Sequence, residues 1–335
     1  MEPTHERKEH RQELSDEKQL MLLNPPTVPQ PYPWLLIFDG KDQERQTFFS
    51  ISEDRFYTRI IPEMHNKVII YTCNNGWLVL RDLINSMNVC LFNPTSKETV
   101  QLPPLEDDDE YTCILSSSPS NHNHQCQVVF IDTKCVFYFC RLGDSKFDKR
   151  VFETEMPLGR IHMIDATFFG GKIYFIVNLG SVIYPLFIAE FVDSEIRFTK
   201  LGIEEYHDQS PQDIISSGSY LIESCGEILL LRKLMFGIYR RNVFGFLVFR
   251  MDFLENKWVQ VKNIGERTIF LSLSGSSIST CSIVAEGVKQ NAIYFTKAAD
   301  RYLYVFDLED DTISKSLPCP IVACQRLFLD WVMLS

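Results

Sequence analysis

The sequence predicts an all-β fold, a β-propeller of six four-stranded blades, and three observations carry that prediction. Beyond Trp34, apolar runs of four to eight residues rich in Val, Ile, Phe and Tyr alternate with short polar breaks. No stretch there sustains the i, i+3, i+4, i+7 stripe of a helix over a dozen residues. Six times an apolar run meets a short polar turn and then a second alternating run, over residues 48–62, 89–103, 135–157, 187–203, 246–264 and 303–318, with starts 41, 46, 52, 59 and 57 residues apart. Ahead of these hairpins lie further apolar pairs, best marked at 68–80, 166–177, 220–231 and 278–295. Two hairpins in a unit of roughly 40–60 residues is the pattern of a propeller blade, whose sheet is covered on both faces only when blades stack around an axis.

The elements follow in chain order. Residues 1–33 are dense in Glu, Lys, Arg and His, then in proline (Pro25, Pro26, Pro29, Pro31, Pro33). They read as a mostly disordered tail, with at most a turn or two of helix around Ser15 to Leu23. Residues 34–334 form the propeller domain. In the clearest hairpins an Asn or Asp opens the turn and an apolar residue follows about six positions on: Asn93 with Thr99-Val100, Asp252 with Trp258, Asp307 with Ile313. Asx side chains initiate turns by bonding the backbone just ahead. The longest uncharged stretch, residues 173–189, contains Asn178, Gly180, Ser181 and Pro185, so it reads as two buried strands rather than a membrane span. The last apolar stretch, residues 325–334, has no hairpin of its own and is expected to pair with the first blade and close the ring. Seven blades, with one degenerate copy in a long interval, and a pair of β-sandwiches are the alternatives.

Composition narrows the function classes. The 335 residues are 45% hydrophobic and 23% charged, an ordinary balance for a globular chain, with 13% aromatics that favour strands. The formal charge of −11 argues against phosphate-backbone binding, which needs a Lys/Arg surplus, and against an anionic membrane surface. Neither a nucleic-acid nor a membrane partner is therefore expected. None of the ten cysteines forms a C-x-x-C, and most sit in apolar runs, which reads as buried free thiols in a reducing compartment. The N-terminus lacks an apolar segment and carries Glu2, Glu6, Glu9, Glu13, Asp16 and Glu17, unlike a secretory or transit peptide. A cytoplasmic or nuclear location follows.

One set of motifs points to a family. The run Cys73-Asn74-Asn75-Gly76-Trp77-Leu78-Val79-Leu80, then Cys90-Leu91-Phe92-Asn93-Pro94-Thr95-Ser96-Lys97-Glu98 with Leu102-Pro103, resembles the kelch-like β-propeller that follows an F-box in plant F-box proteins, long catalogued as a domain of unknown function. Ala292-Ile293-Tyr294-Phe295-Thr296 with Leu303-Tyr304-Val305-Phe306-Asp307-Leu308 is similar to that family's final blade, as is Phe249-Arg250-Met251-Asp252 with Lys257-Trp258-Val259. The resemblance spans about residues 34–320. True kelch blades carry a Gly-Gly doublet, which only Gly170-Gly171 supplies here. An F-box is a helical segment opening on a Leu-Pro pair, and residues 1–33 offer neither that length nor that motif. For complete members the resemblance implies a substrate receptor in ubiquitin ligation. For this chain it implies the partner-binding half, with direct docking to the ligase adaptor in doubt.

Candidate chemistry is sparse. His122-x-His124-x-Cys126 is the one His/Cys cluster, but it lies in a polar loop without a fourth ligand at a usual spacing, so no metal is expected. Cys135-x4-Cys140 and Cys319-x4-Cys324 read as packing residues. No nucleophile elbow, P-loop, H-E-x-x-H or G-x-G-x-x-G is present, and no catalytic residue or cofactor is assigned. The five consecutive acids Glu106-Asp107-Asp108-Asp109-Glu110 lack the glycine of a calcium loop and read as a solvated run or as a partner-binding loop facing a basic protein. The expectation is a non-enzymatic protein-interaction module with an unidentified protein target, its recognition elements in the long loops around 106–125 and 204–218. The alternatives are a propeller-type enzyme or small-molecule binder with a site at the central channel, and a propeller that folds but binds nothing.

Overall fold

The computed structural model of the chain describes residues 33–38, 44–73, 76–106, 109–119, 125–153, 162–178, 185–192, 195–201, 214–236, 242–272, 277–280, 287–297, 302–318 and 329–333. Residues 1–32 of the tail and most of the loop 204–218 lie outside them. Among the described residues twenty-five strands make six sheets, and the one helical element is a 3-10 turn at Pro62–Met64.

The second to fifth sheets each take four consecutive strands in meander order, and the first and sixth depart from it. The first holds β1 (Trp34–Phe38), β2 (Arg45–Ser50) and β3 (Arg55–Ile60). The second is β4 (Lys67–Thr72), β5 (Leu78–Asp82), β6 (Val89–Phe92) and β7 (Thr99–Gln101). The third is β8 (Tyr111–Leu115), β9 (Gln127–Asp132), β10 (Val136–Arg141) and β11 (Asp148–Val151). The fourth is β12 (His162–Phe169), β13 (Lys172–Asn178), β14 (Leu186–Val192) and β15 (Glu195–Lys200). The fifth is β16 (Ile214–Ser224), β17 (Glu227–Phe236), β18 (Asn242–Asp252) and β19 (Lys257–Val261). The six hairpins read from the sequence are the two outer strands of the six blades. The uncharged stretch 173–189 divides into β13 and the start of β14.

The sixth blade departs from the expected hairpin at 278–295. It holds five strands: β20 (Thr268–Leu271), β21 (Ser277–Thr280), β22 (Ala292–Thr296), β23 (Tyr302–Asp307) and β24 (Thr312–Pro318), in the order β21-β20-β22-β23-β24. β20 lies between β21 and β22, parallel to β22 with Thr268 opposite Ala292 and Leu271 opposite Phe295. The reason is in the sequence. Ile269-Phe270-Leu271 is a third apolar run ahead of the pair, and all three side chains are buried. Inserting it into the sheet covers them and satisfies the backbone.

Closure follows the expected route. β25 (Leu329–Val332) pairs antiparallel with β1, Trp34 opposite Val332 and Leu35 opposite Trp331, and so completes the first blade with a strand from the far end of the chain. The innermost strands then touch in a ring: β25 with β4, β4 with β8, β8 with β12, β12 with β16, β16 with β21, and β20 with β25.

The core is divided among the six interfaces between neighbouring blades. In β17, Leu229 and Leu231 pack towards the sixth blade with Phe246, Phe295 and Phe306, whereas Ile228 and Leu230 pack towards the fourth with Tyr174, Ile176 and Leu186. Successive side chains of a strand point to opposite faces, and here both faces are covered, which is why the central strands read as unbroken apolar runs. Outer strands differ: all four residues of β11 are exposed. The aromatics knit these interfaces. Phe137 and Phe152 meet Phe175 and Phe198 across blades three and four at ring separations of 5.0 to 5.2 Å.

Asx residues open the outer turns as expected. Asn93 Oδ1 accepts from the Thr95 and Ser96 amides (2.9 and 3.1 Å), Asp252 Oδ1 from Leu254 and Glu255 (3.0 and 3.1 Å), and Asp307 Oδ1 from Glu309 (2.8 Å). The fourth residue after each, Lys97, Asn256 and Asp311, adopts positive φ, a left-handed step that Asn and Asp tolerate better than most.

Cys73, Cys90, Cys113, Cys126, Cys135 and Cys140 are free and buried, as read from their apolar contexts. Cys225, on the exposed turn between β16 and β17, is disulfide-bonded, which corrects the expectation of free thiols at that position. It sits exposed beside Gly226 at a hairpin tip rather than inside an apolar strand, where a second thiol can reach its sulfur.

Candidate interaction face

The meander sends its connections alternately to the two ends of each blade. The β5–β6 turn (83–88), the β3–β4 connector (61–66), the β7–β8 connector (102–110) and the β9–β10 turn (133–135) therefore emerge at the same end. Hydrogen bonds tie them together. The Leu83 amide donates to Asn66 O (2.8 Å), the Leu105 amide to Met87 O (2.9 Å), and Lys134 Nζ pairs with Asp109 Oδ2 (2.7 Å).

The acidic run lies in this cluster. Glu106, Asp109 and Glu110 are on the β7–β8 connector, while Asp107 and Asp108 lie outside the described residues. Pro103 and Pro104 start the connector, and the buried side chains of Leu102 and Leu105 pin it beneath the loop. Two of its carboxylates are engaged within the chain: Glu106 by Lys149 Nζ (2.6 Å) and Asp109 by Lys134. The Arg81 guanidinium lies over the Tyr111 ring, 5.9 Å from its centroid, below the same connector.

Sequence reasoning missed the feature beside this run. Leu83, Ile84 and Met87 are exposed on the β5–β6 turn (57%, 83% and 38%), at positions where turn residues are normally polar. The signal was present in the string Leu83-Ile84-Asn85-Ser86-Met87-Asn88, which places apolar residues between two alternating strands.

The other expected sites resolve as structure. His122 and His124 lie outside the described residues; Cys126 is buried, and its thiol donates to Ser117 O at 3.2 Å. No group of three His, Cys, Asp or Glu able to hold a metal occurs among the described residues. Burial pushes the Cys135 and Cys140 thiols up to about 12, so both stay protonated and pack as small apolar groups. Cys319 and Cys324 are outside the described residues. The family-like motifs are likewise architectural. Gly76, at φ +76°, sits against Met333 of the closing segment, and Arg59 donates to Pro94 O (3.3 Å) to link the first two blades.

One buried carboxylate was not foreseen. Asp165, in a bulge of β12, is pushed up to about 7 by burial, partly offset by amides donating to it. Its Oδ1 accepts from Ala166 N (2.8 Å) and its Oδ2 from Leu221 N of β16 (2.7 Å), so both oxygens hold backbone rather than facing a substrate.

The comparisons agree with this architecture. Residues 48–315 match the sequence model of the KIB1-4 beta-propeller. Among the curated relatives, F-box/kelch-repeat protein At1g57790 of Arabidopsis thaliana is 23% identical over 270 residues, 78% of this chain and 70% of the relative. F-box only protein 7 of the same plant is 21% identical over 326 residues, covering 84% and 79% of the two chains. With six sheets in a closed ring and the family pattern running through five of its six hairpins and into the last, the chain belongs to the KIB1-4 β-propeller family, one of the F-box-associated propellers of plants.

Proposed function

We propose that this chain is a non-enzymatic protein-interaction module of the cytoplasm or nucleus. Its loop cluster at 61–66, 83–88 and 102–110 receives a partner protein, as the propeller half of an F-box substrate receptor would. The observation that carries this is the β7–β8 connector. It is longer than a tight turn, is pinned by buried Leu102 and Leu105, and holds Glu106, Asp109 and Glu110 of the acidic run on a rigid scaffold. The names of the relatives support the reading, because they describe F-box proteins rather than enzymes.

The test is affinity purification of the intact chain beside a variant carrying Glu106→Gln, Asp107→Asn, Asp108→Asn, Asp109→Asn and Glu110→Gln. A partner recovered reproducibly by the first and depleted with the second, most clearly at low salt, is the expected result. A chain that recovers no reproducible partner in either form overturns the proposal.

A further inference from the structure

We propose that the β5–β6 turn is the apolar anchor of a docking site for a short partner segment that combines lysine or arginine with an aliphatic or aromatic side chain. This rests on the reading of the chain as an interaction module and adds the place and chemistry of recognition.

The turn is built to hold its apolar side chains out. Asp82 Oδ1 accepts from the Ile84 and Asn85 amides (2.7 and 3.1 Å), and Asn85 Oδ1 from Met87 N (3.2 Å). Asn88 N donates to Asn85 O (2.9 Å), and Asp82 N to Asn88 O (3.0 Å). The bonds from Leu83 N to Asn66 and from Leu105 N to Met87 O fasten it on both sides to neighbouring connectors. The amides donating to Asp82 also hold its carboxyl below the usual carboxylate range. A loop with this many internal bonds has already lost its conformational freedom in folding. A ligand that lands on Leu83, Ile84 and Met87 therefore meets little ordering cost. Exposed apolar residues in a loop so constrained are an anchor rather than a frayed end.

The choice of occupant follows from area and charge. Three side chains cannot supply the ~800 Å² per partner of a stable dimer, and a second copy would bring its own charge of −11 against this one. A short linear segment fits the area. Its charge is set by the neighbouring connector. Leu105, bonded to Met87 O, leads directly into the five-acid run, where Lys149 pairs with Glu106 and Lys134 with Asp109. Glu110 is exposed. A basic residue flanking an apolar anchor would meet that connector while the anchor covers the turn.

The experiment pans a phage-displayed library of random dodecapeptides on the full chain at low ionic strength. Selected peptides are then titrated by fluorescence polarisation against the chain and against the combined variant Leu83→Ser, Ile84→Ser, Met87→Ser. The expected peptides carry Lys or Arg near Leu, Ile, Met, Phe or Trp. Their binding should weaken about tenfold or more in the variant and also weaken with added salt. The replaced side chains are exposed, so the melting midpoint of the variant should match the parent; Ile84→Ser alone serves as the milder variant if it does not. Peptides that bind parent and variant alike sink this site while leaving the interaction module standing. Enrichment of acidic or uncharged peptides sinks the stated chemistry. A folded chain that enriches no peptide overturns the docking site, and if it also captures no protein partner the module reading falls with it.

Discussion

Asp165 on the innermost strand of the fourth blade accepts a hydrogen bond from the backbone amide of Leu221 on the innermost strand of the fifth, at 2.7 Å. Two residues on, Thr167 Oγ1 accepts from Glu223 N at 3.2 Å, so the same face of β12 stitches itself to β16 twice. Neighbouring blades of a propeller share no sheet, and their backbones meet through side chains. A carboxylate bound on both oxygens by amides gives such a joint direction that apolar packing alone does not.

That joint makes stability depend on pH. Burial raises the Asp165 carboxyl from an ordinary 3.8 to about 7 in the folded chain. An acid whose folded value lies above its unfolded value carries no penalty below pH 3.8, where both states are protonated. The unfolded chain ionises first as pH rises, so stability falls between about pH 4 and 7 and then levels off. From pH 5 to pH 8 this contribution amounts to roughly 2–3 kcal/mol at most. The carboxylates held low by backbone donors, Asp82 and Asp252, act below pH 4 and leave this window clear. Urea midpoints at pH 5 and 8 check the effect, with a slope that flattens in Asp165→Asn. An equal slope in both proteins counts against the assignment.

Gly76 is required twice over. Its φ of +76° is left-handed, and a Cβ there would stand 2.2 Å from the backbone oxygen of Met333. Gly76→Ala must therefore push the closing segment off the second blade. The expected loss is about 3 kcal/mol or more, as for a severe steric clash in a packed site. Gly143→Ala is the control. It also has positive φ (+97°) but nothing within 4 Å, so only backbone strain of about 1–2 kcal/mol applies. Melting curves of the two variants should differ widely; equal losses would show that Gly76 matters only for its conformation.

Trp331 is the latch of the ring. Its Nε1 donates to Leu271 O (3.1 Å), its amide to Ser272 Oγ (3.3 Å), and its indole meets Phe270 edge-on at 4.8 Å, joining blade one to the inserted strand of blade six. Trp331→Ala should cost about 3–5 kcal/mol through the cavity it leaves. Trp331→Phe keeps most of the packing but strands the Leu271 carbonyl, for about 1–3 kcal/mol. Denaturant titration ranks the two, and a loss from the phenylalanine variant equal to that from alanine would place the latch in the hydrogen bond alone.

Residues 1–33 should not by themselves dock the chain onto the adaptor subunit of a cullin-type ligase. Such docking buries an apolar helical surface, and in residues 1–33 the apolar cluster is limited to Leu20, Met21, Leu22 and Leu23, followed at once by Pro25-Pro26. A pull-down with purified adaptor, using the whole chain and a version starting at Trp34, decides it. Robust binding that vanishes with the shorter version would make residues 1–33 a docking module after all.

Blade number, ring closure and the strand order of the first five blades were legible from the residues in order, because each depends on local pattern. Both faces of a blade are buried, so central strands such as Leu78-Val79-Leu80 read as apolar runs. Asn93, Asp252 and Asp307 mark their turns by bonds to residues two or three positions on. The leftover run ending in Trp331-Val332 had one unfilled place to go. What tertiary structure decided are the features that join residues far apart in the chain. The pairing of β20 parallel to β22 sets strands some twenty residues apart side by side, and the alternation of apolar and polar residues is the same for either neighbour. Asp165 looks like a polar lapse in an apolar strand until Leu221, 56 residues on, is brought to it. Glu106 and Asp109 read as part of a solvated acidic run until the third blade sets Lys149 and Lys134 beside them, and only the fold shows that Leu83, Ile84 and Met87 are left in solvent. Local chemistry is written along the chain, but which charge meets which partner, and which apolar side chain is left without one, depends on distances that only the closed ring creates.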